Sequence, residues 1–209
     1  MIVRDGGLDH PATAQLLSTH LADMHASSPP DSVYALDLSA LATPDIAFFT
    51  AWEGDTLLGC GALRNLGPND VGKVESLPSL EVRGRGWVGQ LADETVPHHP
   101  THPQPLPVRE GSASAAPPAS RSAPTNREGE IKSMRTDPAA RGRGVAQAIL
   151  DRIVTTARAA GMTRLVLETG TGPMFDAAHR LYARNGFMPC PAFGDYVATD
   201  FNRFLCRPL

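Results

Sequence analysis

The chain has 209 residues, 42% of them hydrophobic and 20% charged, with a formal net charge of -3. That profile fits one soluble globular domain, or one domain with an insertion, and the negative balance speaks against nucleic-acid binding driven by bulk charge. No apolar run approaches the roughly 18 residues of a membrane helix, and three scattered cysteines (Cys60, Cys190, Cys206) fit neither a disulfide framework nor a zinc site.

In chain order, the first residues, Met1-Ile-Val-Arg-Asp-Gly-Gly, carry no basic head followed by an apolar block, so a cytoplasmic protein with reduced thiols is expected. Asp9-His-Pro11 has a capping aspartate and an early proline, as a helix start requires. Leu16, Leu17, Leu21 and Met24 follow at helical spacing, and Ser27-Ser-Pro-Pro30 ends the helix. Leu36, Leu38 and Leu41 suggest a second, short helix. Ile46 to Trp52 reads as a strand, Glu53-Gly-Asp55 as a tight turn and Thr56 to Leu63 as the returning strand.

Residues 74 to 128 differ in composition. They hold nine of the nineteen prolines and few large apolar residues, too little to offset the entropy of ordering them. A disordered insertion within a single domain spanning 1–209 is expected. Arg83-Gly-Arg-Gly-Trp87 and Thr101 to Pro107 within it could be encoded by nearly complementary DNA, as in a translated inverted repeat. His98-His-x-x-His102 has the look of a metal cluster but lacks a fourth ligand, and no metal is expected.

Regular elements resume after Gly129. Glu130 to Thr136 reads as a strand that Pro138 breaks. Val145 to Ala160 reads as a helix with Val145, Ile149, Ile153, Val154 and Ala157 on one face, capped by Gly161. Arg164 to Glu168 is a strand, Asp176 to Asn185 a helix closed at Gly186, and Tyr196 to Cys206 holds the last strand or strands. This order gives an α/β fold.

The chemistry concentrates in Met134-Arg-Thr-Asp-Pro-Ala-Ala-Arg-Gly-Arg-Gly-Val-Ala146. A strand runs through a Gly-containing turn into a helix N-terminus, where free amides and the helix dipole suit a phosphate group. Gly142 and Gly144 let the backbone approach a ligand, and Arg141 and Arg143 add charged donors. The Gly-Lys-Ser/Thr ending of a P-loop is absent, and the dinucleotide fingerprint does not fit.

Arg141-x-x-Gly144-x-Ala146 after Pro138, with Leu181-Tyr182-Ala-Arg-Asn-Gly186-Phe187 downstream, resembles the signature of the GNAT family of N-acetyltransferases. The resemblance covers residues 1 to 73 and 129 to 209, and runs closest to small bacterial members. It implies a mixed, splayed central sheet flanked by helices. Acetyl-CoA would be the co-substrate. Met134, Arg135 and Thr136 would pair with its pantetheine arm through their backbone, and the amides of Gly142, Arg143, Gly144, Val145 and Ala146, with Arg141 beside them, would hold its pyrophosphate. An asparagine common in members seven residues before the tyrosine is Phe175 here. The acceptor implied is an amine of a small or amino-acid-like molecule, with no nucleic acid or membrane as partner; a homodimer is an assembly common in the family.

Acetyl transfer to an alkylamine must first remove a proton held about 3.4 units above neutrality, at a cost of roughly 4.6 kcal/mol. Glu130 and Glu168 are the candidate bases, Glu130 lying eleven residues before Arg141 as in histone-acetylating relatives. Tyr182 resembles the family's general acid. A phenol near pKa 10 donates uphill to a thiolate near 8.5 by roughly 2 kcal/mol, so a hydrogen bond that stabilises developing charge is the expected role. His20 and His25 fall on the first helix, which lines the acceptor site in this family. Phe193-Gly-Asp-Tyr196 and Arg64 are further candidates for the acceptor pocket. Acetylation of a protein amine, and an acyl-CoA-binding module without catalysis, are the alternatives. RNA binding through the Arg/Gly runs lacks interleaved aromatics.

Overall fold

The computed structural model describes residues 1–29, 34, 36–68 and 127–209. The Arg83-Gly-Arg-Gly86 run, the proposed inverted repeat and the three clustered histidines of the insertion lie outside the described residues.

Seven strands form one mixed sheet: β1 (Ile2–Asp5), β2 (Ile46–Glu53), β3 (Thr56–Pro68), β4 (Arg127–Thr136), β5 (Arg164–Gly170), β6 (Met188–Pro189) and β7 (Asn202–Pro208). Their order across the sheet is β1-β2-β3-β4-β5-β7-β6, and only β4 and β5 run parallel. The helices are α1 (Pro11–Ser27), α2 (Leu38–Leu41), α3 (Val145–Ala159) and α4 (Asp176–Arg184).

The sheet is amphipathic in both directions, so helices cover both faces. On β2 and β3, Phe48, Trp52, Leu57, Cys60 and Ala62 pack with Leu16 and Leu17 of α1 and Leu41 of α2. The alternate residues Phe49, Ala51 and Leu63 join Ile149, Leu150 and Ile153 of α3 in the main core, with Leu165 and Leu167 of β5. Gly59 and Gly61 set the distance between β3 and α3. A Cβ on Gly59 would meet Val145 Cγ1 at 2.8 Å, and one on Gly61 would meet Ile149 Cγ2 at 2.8 Å.

Several boundaries differ from the sequence expectation; β3 and β5, for instance, run on to Pro68 and Gly170. β1 was not anticipated, because Ile2-Val3 ahead of two glycines is too short a signal for a pattern; its ladder with β2 supplies what propensity does not. The α1 cap is His10 rather than Asp9, its ring Nδ1 accepting the Ala12 N–H at 3.2 Å. β4 begins at Arg127, so Arg127 and Glu128, which composition had grouped with the insertion, are sheet residues paired with Pro68 and Gly67. Glu128 is buried and held by Arg164 at 2.8 Å. Finally, β7 starts at Asn202, which leaves Tyr196 in the β6–β7 loop.

Candidate active site

β4 and β5 pair only over Glu128–Glu130 and Arg164–Val166. Past that point β4 keeps β3 as its partner, Arg135 opposite Cys60 and Thr136 opposite Gly59, while β5 pairs with β7. The two strands therefore diverge, and a cavity of about 840 Å³ opens where they part.

One end of this cavity is the loop before α3. Gly142 and Gly144 adopt φ of +75° and +79°, a region L side chains avoid, and each faces open space where a Cβ would stand. They turn the chain so that the first amides of α3, a 15-residue helix, are free of intrahelical partners. Arg141, Gly142, Gly144, Val145 and Ala146 all line the cavity. Gln147 and Asn185 exchange amide hydrogen bonds of 2.9 Å, fixing the first turn of α3 to the end of α4. Arg184, next to Asn185, lines the cavity at this end beside Arg141, a cation the sequence reading did not single out. Arg143 is a correction. Its guanidinium bonds both Glu53 carboxylate oxygens at 2.7 Å and does not line the cavity, so only its backbone remains at the loop.

Met134, Arg135 and Thr136 line the cavity along the β4 edge that β5 has left. A bulge sets their orientation. Ser133, at φ +52°, is an extra residue opposite β3 and shifts the alternation by one. Met134 therefore packs toward the main core. Arg135 turns to the α1 face, where it forms an ion pair with Asp23. Phe175, in the position expected of an asparagine, forms part of the cavity wall and stands edge-to-face with Phe201 at 5.9 Å.

The two candidate carboxylates have different surroundings. Glu168 lines the cavity, and burial pushes its carboxyl up to about 7; Lys132 opposes that rise and Glu130 adds to it. Glu130 is only 1% exposed and does not line the cavity. It pairs with Lys132 Nζ at 3.3 Å and accepts the hydroxyl proton of Tyr196. Both contacts fall on Oε1, and Glu130 stands behind the cavity wall rather than on it, so Glu168 is the carboxylate that a molecule in the cavity would meet directly. Lys132 completes the group by donating to Tyr196 Oη at 2.6 Å and to the Tyr34 carbonyl at 3.0 Å. The Tyr34 and Tyr196 rings meet edge-to-face at 4.7 Å. Neither Lys132 nor this arrangement was foreseen, although Glu130-x-Lys132 on one strand places both side chains on the same face.

Tyr182 lines the cavity from α4, packed edge-to-face on Phe187 at 5.4 Å, and burial raises its phenol above the ordinary range. His20 lines the cavity from α1; burial, then the nearby Arg135, lowers its pKa to about 4, so its ring is neutral near pH 7. Arg64 is tied to Asp45 at 2.9 Å. Burial lifts the Cys60 thiol to about 12, which removes it as a nucleophile. Among the described residues no helix is long and apolar enough to cross a membrane.

The profile of the Acetyltransferase (GNAT) family matches residues 111–187. The chain is 31% identical to YedL of Escherichia coli (strain K12), an uncharacterised N-acetyltransferase, over 99% of this chain and 94% of that one. It is also 31% identical to YsnE of Bacillus subtilis (strain 168), another uncharacterised N-acetyltransferase, over 93% and 90%. Among solved structures, an acetyltransferase of the GNAT family from Staphylococcus aureus Mu50 superposes with a TM-score of 0.56 at 14% identity, covering 99% of both chains.

Proposed function

The chain belongs to the GNAT family of acetyl-CoA-dependent N-acetyltransferases, and from that premise we propose that it moves the acetyl group to a primary amine of a small, amino-acid-like acceptor. The observation that carries this reading is one cavity lined at once by the Gly142–Gly144 loop, by the unpaired β4 edge, by Glu168 and by Tyr182.

The free amides at the start of α3, with Arg141 and Arg184, suit a pyrophosphate. The open backbone of Met134 to Thr136 suits the amides of a pantetheine arm, as a neighbouring strand would. Glu168 is the base. With its carboxyl at about 7, taking a proton from an alkylammonium is uphill by about 3.4 units, or about 4.6 kcal/mol, where an ordinary carboxylate would face roughly 8 kcal/mol. The amine then attacks the thioester carbonyl, the C–N bond forms and the C–S bond breaks. Tyr182 serves the departing sulfur. Because burial raises its phenol, proton transfer is more costly than from an exposed tyrosine, so it acts by a hydrogen bond to developing charge. The three cysteines are free, which accords with a reducing cytoplasm.

Calorimetric titration with acetyl-CoA, on the wild type and on Gly144→Glu, tests the cofactor end. The variant places a carboxylate on a φ of +79° at the phosphate loop, and its binding is expected to vanish. A screen of amino acids, their amides and simple amines for CoA release then tests the acceptor class. Binding that survives in the variant would move the phosphate site elsewhere, and turnover restricted to peptide N-termini would replace the small acceptor.

A further inference from the structure

The group formed by Lys132, Glu130 and Tyr196 performs no step in the reaction above, yet its ion pair is buried and Lys132 lines the same cavity as the proposed base. An ammonium has three hydrogens. Those of Lys132 face the Tyr34 carbonyl at 3.0 Å, Tyr196 Oη at 2.6 Å and Glu130 Oε1 at 3.3 Å. Its side chain is 9% exposed. Two of these contacts are hydrogen bonds and the third is an ion pair, so the ammonium is held by the protein's own groups at the cavity wall. It joins three parts of the chain: β4, the β6–β7 loop through Tyr196, and Tyr34 between α1 and α2.

We propose that Lys132 is a positioning residue for acetyl transfer: it fastens the β6–β7 loop at the wall of the acceptor site and is the fixed positive charge against which Glu168 takes up the acceptor's proton. The inference rests on the reading of Glu168 as the base. Glu168 and Lys132 line the same cavity, Glu130 and Tyr196 being tied to Lys132 behind it, and the charges of Lys132 and Glu130 both act on Glu168. Its ladder partner on β7, Phe204, brings no charge. His20 and Asp23 of α1 and Arg135 of β4 share the cavity. Of the two charged β4 neighbours, Lys132 acts on Glu168 more strongly than Glu130 does, so the pair together favours the carboxylate form.

Lys132→Met alone would leave Glu130 buried without its partner, which invites misfolding or protonation of Glu130. The informative comparison is therefore Glu130→Gln against Glu130→Gln/Lys132→Met, in which the second change removes only the ammonium. The Glu168 carboxyl is titrated by carbon-13 NMR in protein without ligand, its resonance identified by loss in Glu168→Gln. The midpoint is expected to rise by about one unit from the first variant to the second, and to rise far less in Glu130→Gln/Lys132→Arg, which keeps the charge. Equal midpoints in Glu130→Gln and the Lys132→Met double variant would overturn the charge role. For the loop, Tyr196→Phe keeps the ring and removes the hydroxyl. Amide hydrogen exchange across residues 192–201 is expected to quicken about tenfold; unchanged exchange would overturn the fastening role. None of these measurements needs an acceptor, so the two failures separate. A wild-type midpoint near 4.5, the ordinary value, removes Glu168 as the base and this inference with it. A raised midpoint that does not respond to Lys132 removes the inference alone.

Discussion

The two faces of the sheet have different jobs. The face under α3 is apolar: Ile149, Leu150 and Ile153 are fully buried against Phe49, Leu63 and Leu165. The face under α1 begins the same way, with Leu16, Leu17 and Trp52. Where β4 and β5 part, it turns ionic, with Asp23 of α1, Glu130, Lys132 and Arg135 of β4 and Glu168 of β5 brought together from three elements. A side chain on the first face is held by area removed from water, which is nondirectional. On the second, each buried charge depends on a specific partner. Substitutions on the α3 face should therefore change stability with little effect on chemistry, and those in the ionic part of the α1 face should change chemistry, with stability following only where a buried charge loses its partner.

The sharpest way to break that contrast is Glu168→Gln. It should lower kcat/KM by about 10²- to 10⁴-fold with the acetyl-CoA Kd unchanged, measured by CoA release and calorimetry. It should not destabilise the fold at neutral pH. Glu168 keeps its proton to about pH 7 when folded and to about 4.5 when unfolded. Between those values the folded state binds more protons, so its stability falls as pH rises. Glu168→Gln removes that fall, and thermal midpoints between about pH 4 and about pH 8 should flatten.

The mirror experiment is Ile149→Ala, which should cost about 2–5 kcal/mol in urea unfolding while the folded fraction keeps its kcat. Smaller effects divide the arginines at the phosphate end. Arg184→Ala should weaken acetyl-CoA about tenfold through a lost charged hydrogen bond. Arg143→Ala should change Kd less than about threefold, because it gives up only a surface pair with Glu53. The smallest effect concerns the insertion, which we propose is dispensable. Pro68 and Arg127 are ladder partners, so replacing residues 69–126 with a two-residue turn should leave acetyl-CoA affinity and cooperative unfolding unchanged.

Legibility in the sequence follows the same division. α3 could be read from Val145, Ile149, Ile153 and Ala157 because nonpolar area repeats at the helical period. The phosphate loop could be read because glycines at two positive-φ positions are a local requirement. The splayed sheet came from resemblance, and the strand pairing agrees with it. The Lys132–Glu130–Tyr196 group could not be read, since it depends on contacts spanning 64 and 66 residues. For the same reason Glu130 and Glu168 were equal candidates in the sequence, though one faces the cavity and the other its own partners. The Arg143 side chain could not be placed from the sequence, because its partner Glu53 lies 90 residues away.

The bulge at Ser133 has a consequence for how this strand can change over time. A β-strand offers only two sides, and the extra residue transfers everything after it from one side to the other. Drawing Ser133 into regular pairing would send Met134 toward the ions and Arg135 into the oil, with no side chain itself altered, whereas deleting Ser133 would leave both on their present sides. Along β4, then, the site depends on the backbone of the bulge: a change that straightened it with Ser133 kept in the ladder would exchange the inside and the outside of the site at once, and a single-codon deletion at that position would not.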